Sequence, residues 1–554
     1  MPRHGSLQAL LTLLTGTLLA CAGLAWAQDP PPATEVRLRA FPLERIEPGL
    51  EGFGLTAGPG NRIERFWVRV LARQDGLGPG GQPLVLIAAS GALIDAAGGV
   101  AAGMSGSPVY LDLDGEQALL GAIAYVFPDS DGHLALVTPI EAMRSQTLTR
   151  APPWRAPTGA VPVATPVLVA GLGARALALL EDTVLALAPQ RLSPVRAGGS
   201  GPGDSDPTPL QAGSAIALQL VRGDVDVAAI GTVTEIVGPG LLALGHPFLG
   251  TGPASWALAP ASITAIVPNR RVPFKLANVG PELLGAVVAD RPAGVAARLD
   301  ERPELIPVTL SVDLEGQRQT LRFEVAAAEP LWPLLVAVAT LEALDRAWSR
   351  VAPGSATLAW ELGLEGGPPL RLLEQVSSAS DVALAAARMA GAPLALLAEN
   401  AFETPRPTSL QLLIEVDERR RDGELVEVLL EAGPLRAGGT IGLHLRLQPW
   451  RRQSEVHTLS VTLPDALAAD AELVVRGAGE PRDDDHDGGV DTLILSYAEL
   501  LTVLRERPRS GDLVIEVMGA DGRWQVLERR SFPYLVRGVE RVALELDASD
   551  DDDD

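Results

Sequence analysis

The sequence predicts a mainly β chain, on three observations. Glycine (57) and proline (46) are abundant and aromatic residues are few, which favours short strands and turns over long helices. The apolar residues fall in runs of strand length, such as Phe66-Trp67-Val68-Arg69-Val70-Leu71 and Leu84-Val85-Leu86-Ile87. Helical spacing is confined to 174–187, 331–348 and 380–400, with a short start at Ile140 to Met143.

At 554 residues the chain is long enough for roughly three to four domains. Residues 1–27 read as an export signal. Arg3 and His4 form a basic start, Leu7 to Leu19 is apolar, and Ala25-Trp26-Ala27 is a small-residue cleavage site before Gln28. A second reading cleaves at Leu18-Leu19-Ala20-Cys21 and leaves a chain lipid-anchored through Cys21. A third, a membrane anchor, is disfavoured because the run is short for a span. Cys21 is the single cysteine, so cleavage after Ala27 leaves neither disulfide nor thiol chemistry. No other segment is long and apolar enough to cross a bilayer. The expected location is periplasmic or extracellular.

Residues 28–150 read as one barrel-like strand domain opened by a proline-rich linker. Residues 151–165, with four prolines, read as a linker. A second strand-rich domain follows at 166–330, with a glycine- and proline-rich loop at 197–209. Residues 331–404 read as a helical connector and 405–545 as a β-sandwich of short strands. An acidic tail, 546–554, ends the chain. The net charge is −24, with a single lysine, Lys275. Such a surface argues against nucleic acid and against anionic membrane surfaces.

The chemistry concentrates in Gly103-Met104-Ser105-Gly106-Ser107-Pro108, followed by the strand-like Val109-Tyr110-Leu111. Glycine on both sides of Ser105 lets the backbone take positive φ and approach a substrate. N–H groups of Gly103 and Ser105 could then hold an oxyanion. A serine nucleophile needs a base. Of the six histidines, only His4 precedes Ser105, and it lies in the leader. His133 sits in a turn, His444 and His457 in the C-terminal strands, and His486 in an acidic loop. His246, in Leu244-Gly245-His246-Pro247 after a short strand, is best placed to face a cleft.

Three stretches together resemble the SpoIVB peptidase family. They are Gly98-Gly99-Val100-Ala101-Ala102-Gly103-Met104-Ser105-Gly106-Ser107-Pro108, Gly121-Ala122-Ile123-Ala124-Tyr125-Val126, and Ala243-Leu244-Gly245-His246. The resemblance covers roughly residues 40–325. It implies a trypsin-like double β-barrel with Ser105 as nucleophile and His246 as base. Here the serine precedes the histidine, so the two barrels are expected in reordered sequence. The acid that the family's namesake, a sporulation signalling protease, carries before this motif aligns with Ser90, and the PDZ domain of that protease is not evident here.

The third member of a triad is therefore open. Asp290 follows His246 at a plausible spacing, Asp95 lies near the nucleophile, and Asp224 and Asp226 precede His246. A dyad without an acid is a further option. Lys275, in Pro273-Phe274-Lys275-Leu276, invites a serine–lysine pair but reads as a solvated strand residue. Asp483, Asp485 and Asp487 with Gly488 match the first half of a calcium loop. Its twelfth position holds Ile494 rather than glutamate, and a solvated acidic loop is the plainer reading. No cofactor is required. The functional expectation is a secreted serine endopeptidase acting on protein or peptide, with an envelope partner bound through the C-terminal sandwich. The alternative is a non-catalytic binding or scaffold protein of the cell envelope that keeps the fold.

Overall fold

The structure, a computed structural model, describes residues 37–78, 81–145, 159–187, 192–196, 209–269, 271–328, 330–468, 471–481 and 494–545. The leader with Cys21, most of the loop at 197–209, the acidic residues Asp483, Asp485 and Asp487, and the tail lie outside them. The protein is mainly β, 50% strand and 17% helix, with two closed six-stranded antiparallel barrels. It divides into two compact units. Of the described residues, one comprises 37–308 and 322–342; the other comprises 309–321 and 343–545.

The first barrel is built from β1 (Glu51–Ala57), β2 (Ile63–Gln74), β3 (Leu84–Ser90), β4 (Pro108–Leu113), β5 (Glu116–Val126) and β6 (Leu134–Pro139). The order β4-β1-β2-β3-β6-β5 closes through the β4–β5 pairing. In β2 the alternation is plain: Phe66, Val68 and Val70 point inward, whereas Trp67 is 61% exposed. Their core partners include Val85, Ile87, Ile123 and Val137. Two short helices flank the serine turn's barrel, α1 (Ala92–Ala97) and α2 (Ile140–Ser145).

The second barrel follows β7 (Val161–Pro162), β8 (Thr165–Ala170), α3 (Ala174–Thr183) and β9 (Leu192–Arg196). Its strands are β10 (Ala215–Gly223), β11 (Asp226–Val237), β12 (Gly240–Ala243), β13 (Gly252–Val267), β15 (Gly285–Arg291) and β16 (Gly294–Arg298), with β14 (Phe274–Val279) paired to β13. Pairings β10–β13, β13–β15, β15–β16, β16–β12, β12–β11 and β11–β10 close the ring. Its core is rich in alanine, with Ala215, Ala217, Ala228, Ala259, Ala261 and Ala277 around Ile230. Every residue of β11 except Val237 is buried. A strand buried on both faces must be covered on its outer side, and the serine turn of the first barrel supplies part of that cover. Strands β17 (Leu305–Leu314) and β18 (Gln317–Ala326) and helix α4 (Leu331–Trp348) follow.

In the other unit, β19 (Gly354–Leu364) pairs with both β20 (Leu370–Ser378) and β21 (Pro407–Asp417). Helix α5 (Val382–Ala398) packs on these strands, with Trp360 Nε1 donating to Ala390 O at 3.1 Å. The stretch 331–404, read as a helical connector, therefore contains two strands as well. Pro407–Asp417, read as part of the sandwich, belongs to the β19 sheet. The sandwich proper consists of β22 (Asp422–Leu430), β23 (Thr440–Pro449), β24 (Glu455–Thr462) and β28 (Leu535–Arg537) facing β25 (Glu472–Gly477), β26 (Asp512–Met518), β27 (Trp524–Ser531) and β29 (Val539–Ala543). Leu443, Leu445, Leu473, Leu513 and Ile515 form their shared core. No described helix is long and apolar enough to cross a membrane.

Candidate active site

The serine turn is fixed by its own backbone and by the second barrel. Met104 N–H donates to Ala101 O and Ser107 N–H to Met104 O, while Gly106 N–H donates to Ile123 O of β5. Across the barrel–barrel contact, Thr232 N–H of β11 donates to Ser105 O at 2.9 Å. Thr232 Oγ1 donates to Gly103 O at 2.8 Å and Thr234 Oγ1 to Gly106 O at 2.7 Å. Gly106 has φ +91°, and a Cβ there would stand 2.0 Å from Thr232 O. The turn's second glycine is thus demanded both by conformation and by the closeness of the docking.

His246 is carried by a strained turn after β12. Leu244 (φ +67°) and Gly245 (φ +69°) both lie in the left-handed region. For a buried leucine this costs on the order of 1–3 kcal/mol. The turn is held by Thr138 Oγ1 donating to Gly245 O at 2.7 Å and by Leu244 N–H reaching Thr232 O at 3.4 Å. Thr232 therefore receives both segments: its N–H takes Ser105 and its carbonyl takes the chain two residues before His246. Tyr125 of β5 lies beside the imidazole, with ring centroids 6.2 Å apart.

His246 Nδ1 donates to Pro247 O at 2.8 Å. A carbonyl can only accept, so the neutral ring carries its proton on Nδ1 and Nε2 is the basic nitrogen. The orienting partner is thus a backbone carbonyl. Asp290, at the β15 end, is fully buried. Its carboxylate accepts from Phe248 N–H and Leu249 N–H at 2.7 Å each, and also from Gly250 and Thr251 N–H. It organises the loop that leaves His246. Burial pushes its carboxyl up from the usual range, and the N–H donors partly offset this.

The other acids fall elsewhere. Asp95 caps α1 by accepting from Gly91 N–H at 3.3 Å and pairs with His133 Nε2 at 3.3 Å. It is spoken for by a different histidine and is more than half exposed. Asp224 accepts from Arg322 N–H. Asp226 accepts from Gln219 Nε2 at 3.2 Å and is pushed up to about 6 by burial. It stands six residues before Thr232, about 20 Å along the strand. Among the described residues no group of three or more His, Cys, Asp or Glu converges as a metal site.

Two expectations need correction. The N–H of Gly103, expected to face an oxyanion, donates to Ala164 O at 3.2 Å. Ser105 N–H has no backbone acceptor among the described residues, so it is the one donor of the pair left to an oxyanion. Ser105 and His246 are both 0% exposed, and Ser105 Oγ makes no hydrogen bond among the described residues. Ser105 Oγ and His246 Nε2 are not hydrogen-bonded to each other, and both side chains are closed off from solvent.

Lys275 is the second surprise. It was read as solvated and is 0% exposed. Strand alternation puts it on the face of Ala277 and Val279, which belong to the alanine-rich core. Its backbone N–H donates to Ala102 O, and Ala102 N–H donates to Pro273 O, tying β14 to the serine turn. Its Nζ lies 2.7 Å from Thr56 Oγ1 and 3.4 Å from Thr232 Oγ1. Thr56, Thr138, Thr232 and Thr234 escaped sequence reasoning. The available signal was their place in otherwise apolar strands, Thr232 and Thr234 being two apart on one face. Comparison with known proteins finds no matching family model, curated protein or solved structure.

Proposed function

We propose that this chain is an exported serine endopeptidase of the SpoIVB type, held here in a closed state. The observation that carries the reading is the joint docking of the Ser105 turn and the His246 turn on Thr232. In the open enzyme His246 Nε2 takes the Ser105 proton as Oγ bonds to the scissile carbonyl carbon. The developing oxyanion meets Ser105 N–H, and Gly103 N–H once it leaves Ala164 O. The imidazolium, with Nδ1–H on Pro247 O, then protonates the leaving amine as the C–N bond breaks. Water, deprotonated by the same imidazole, releases the acyl group. Asp290 is a positioning residue that holds the loop after His246. The leader-like residues 1–27 motivate export, and the C-terminal sandwich would present the protease to an envelope partner. A calcium ion at Asp483, Asp485 and Asp487 is a secondary proposal, tested by calcium titration of the melting temperature.

A second reading is a non-catalytic envelope protein that keeps the fold. It is favoured by the complete burial of Ser105 and its unengaged hydroxyl. Digestion of a denatured protein separates the two. The mature chain should cleave it and the S105A chain should not. Equal turnover in both, or none in either, favours the second reading.

A further inference from the structure

A buried ammonium is costly unless paired with an anion, and among the described residues no carboxylate pairs with Lys275 Nζ; Glu64, across from Thr56 on β2, has its carboxylate beside Gly58. Strands β8 and β13, which lie against β14, carry no ionisable residue, and neither does the turn at 101–108. On β11, Glu235 is taken by Arg144, with Nε donating at 2.9 Å, and Asp226 by Gln219. On β1, Glu51 is exposed and paired with Arg69. Among the described residues, the Lys275 Nζ partners are the hydroxyls of Thr56 and Thr232.

The number of acceptors around Nζ argues for its charge state. Ser107 Oγ donates to Thr56 Oγ1 at 3.1 Å, and Thr232 Oγ1 donates to Gly103 O. Nζ donates to both threonine oxygens, and an ammonium would keep a third N–H with no acceptor among the described residues. A neutral amine resolves this, since its two N–H groups match the two hydroxyl oxygens that accept from Nζ. We propose that Lys275 is a neutral-amine positioning residue, closing an ordered chain from Ser107 O–H through Thr56, Nζ and Thr232 to the Gly103 carbonyl. That chain pins both ends of the turn bearing Ser105. Burial independently pulls the amine down to about 7. The name nucleophile for Ser105 rests on the peptidase reading; the relay does not.

Because the folded value lies below the ordinary 10.5, the unfolded chain binds the extra proton first. The stabilisation is complete above about pH 10.5 and is lost as pH falls to about 7. Below that, the cation brings a charge and a third N–H that its hydroxyl partners leave unmatched, and the turn loosens.

As the single lysine, Lys275 gives one side-chain signal in protein labelled with ¹³C,¹⁵N-lysine. Its Cε shift should titrate near pH 7. A shift still that of an ammonium at pH 9 would overturn the proposal. In wild type, amide-exchange protection of 103–107, corrected for intrinsic rate, should fall at least tenfold below pH 7. In K275M it should not depend on pH. Equal profiles in the two proteins would also overturn the proposal. K275R, which cannot become neutral, should melt below K275M; the reverse order would count against a neutral amine. Should either variant fail to fold, the wild-type titration still decides. None of these readouts uses activity, so a protein that fails as a peptidase yet titrates near 7 loses the first reading and keeps this one.

Discussion

Single side chains define what the site can do. His246 gets its tautomer from Pro247 O, so Asp290 acts on the loop rather than on the ring. Replacing Asp290 with alanine orphans the Phe248–Thr251 donors. The expected cost is about 3 kcal/mol or more, measured by urea denaturation, together with weaker function of His246. A loss under about 1 kcal/mol would show that the loop does not need the carboxylate. Asp226 gives a pH test. Its folded value of about 6 lies above the unfolded 3.8, so its stabilisation is full below about pH 4 and is lost as pH rises through 6. The shift of about two units corresponds to about 3 kcal/mol. The stability of D226N relative to wild type should therefore rise by about that amount from pH 4 to pH 7, read from denaturation midpoints. A constant difference would refute the assignment. Ser105 and His246 were legible as candidates because glycines flank the first and the histidine census leaves the second. The pairing of Asp95 with His133 was not, since it joins a helix to a distant turn. Nor was the burial of Lys275. Alternation groups it with Ala277 and Val279, yet a strand written alone does not say which face meets the core.

At the level of elements, the serine turn and β11 form one unit of recognition. Gly106→Ala places a methyl group against Thr232 O in a backbone region alanine disfavours. The expected cost is about 3 kcal/mol, with disproportionate loss of Ser105 reactivity; a melting temperature equal to wild type would contradict this docking. Most strands of both barrels were legible as apolar runs of strand length bounded by turn residues. Partners were less so. Pro407–Asp417 alternates as a sandwich strand would, yet pairs with β19, because periodicity sets a face and not a neighbour. The connector was read as helical because Leu, Ala and Val at helical spacing dominate it, which hid β19 and β20.

For the whole molecule, two six-stranded barrels in one unit explain why a serine before its histidine is no obstacle. Each barrel contributes one turn, and their contact brings the turns to Thr232 whatever the chain order. The same contact buries Ser105 and occupies Gly103 N–H with Ala164 O, so the proposed peptidase activity requires loosening of that contact. The most direct test is the site and rate of a fluorophosphonate adduct, mapped by peptide mass spectrometry with and without sub-denaturing urea. One adduct on Ser105 is predicted, formed faster in mild urea, absent in S105A and at least about a hundredfold slower in H246A. An adduct that persists in S105A, or none on Ser105 under either condition, would contradict the assignment.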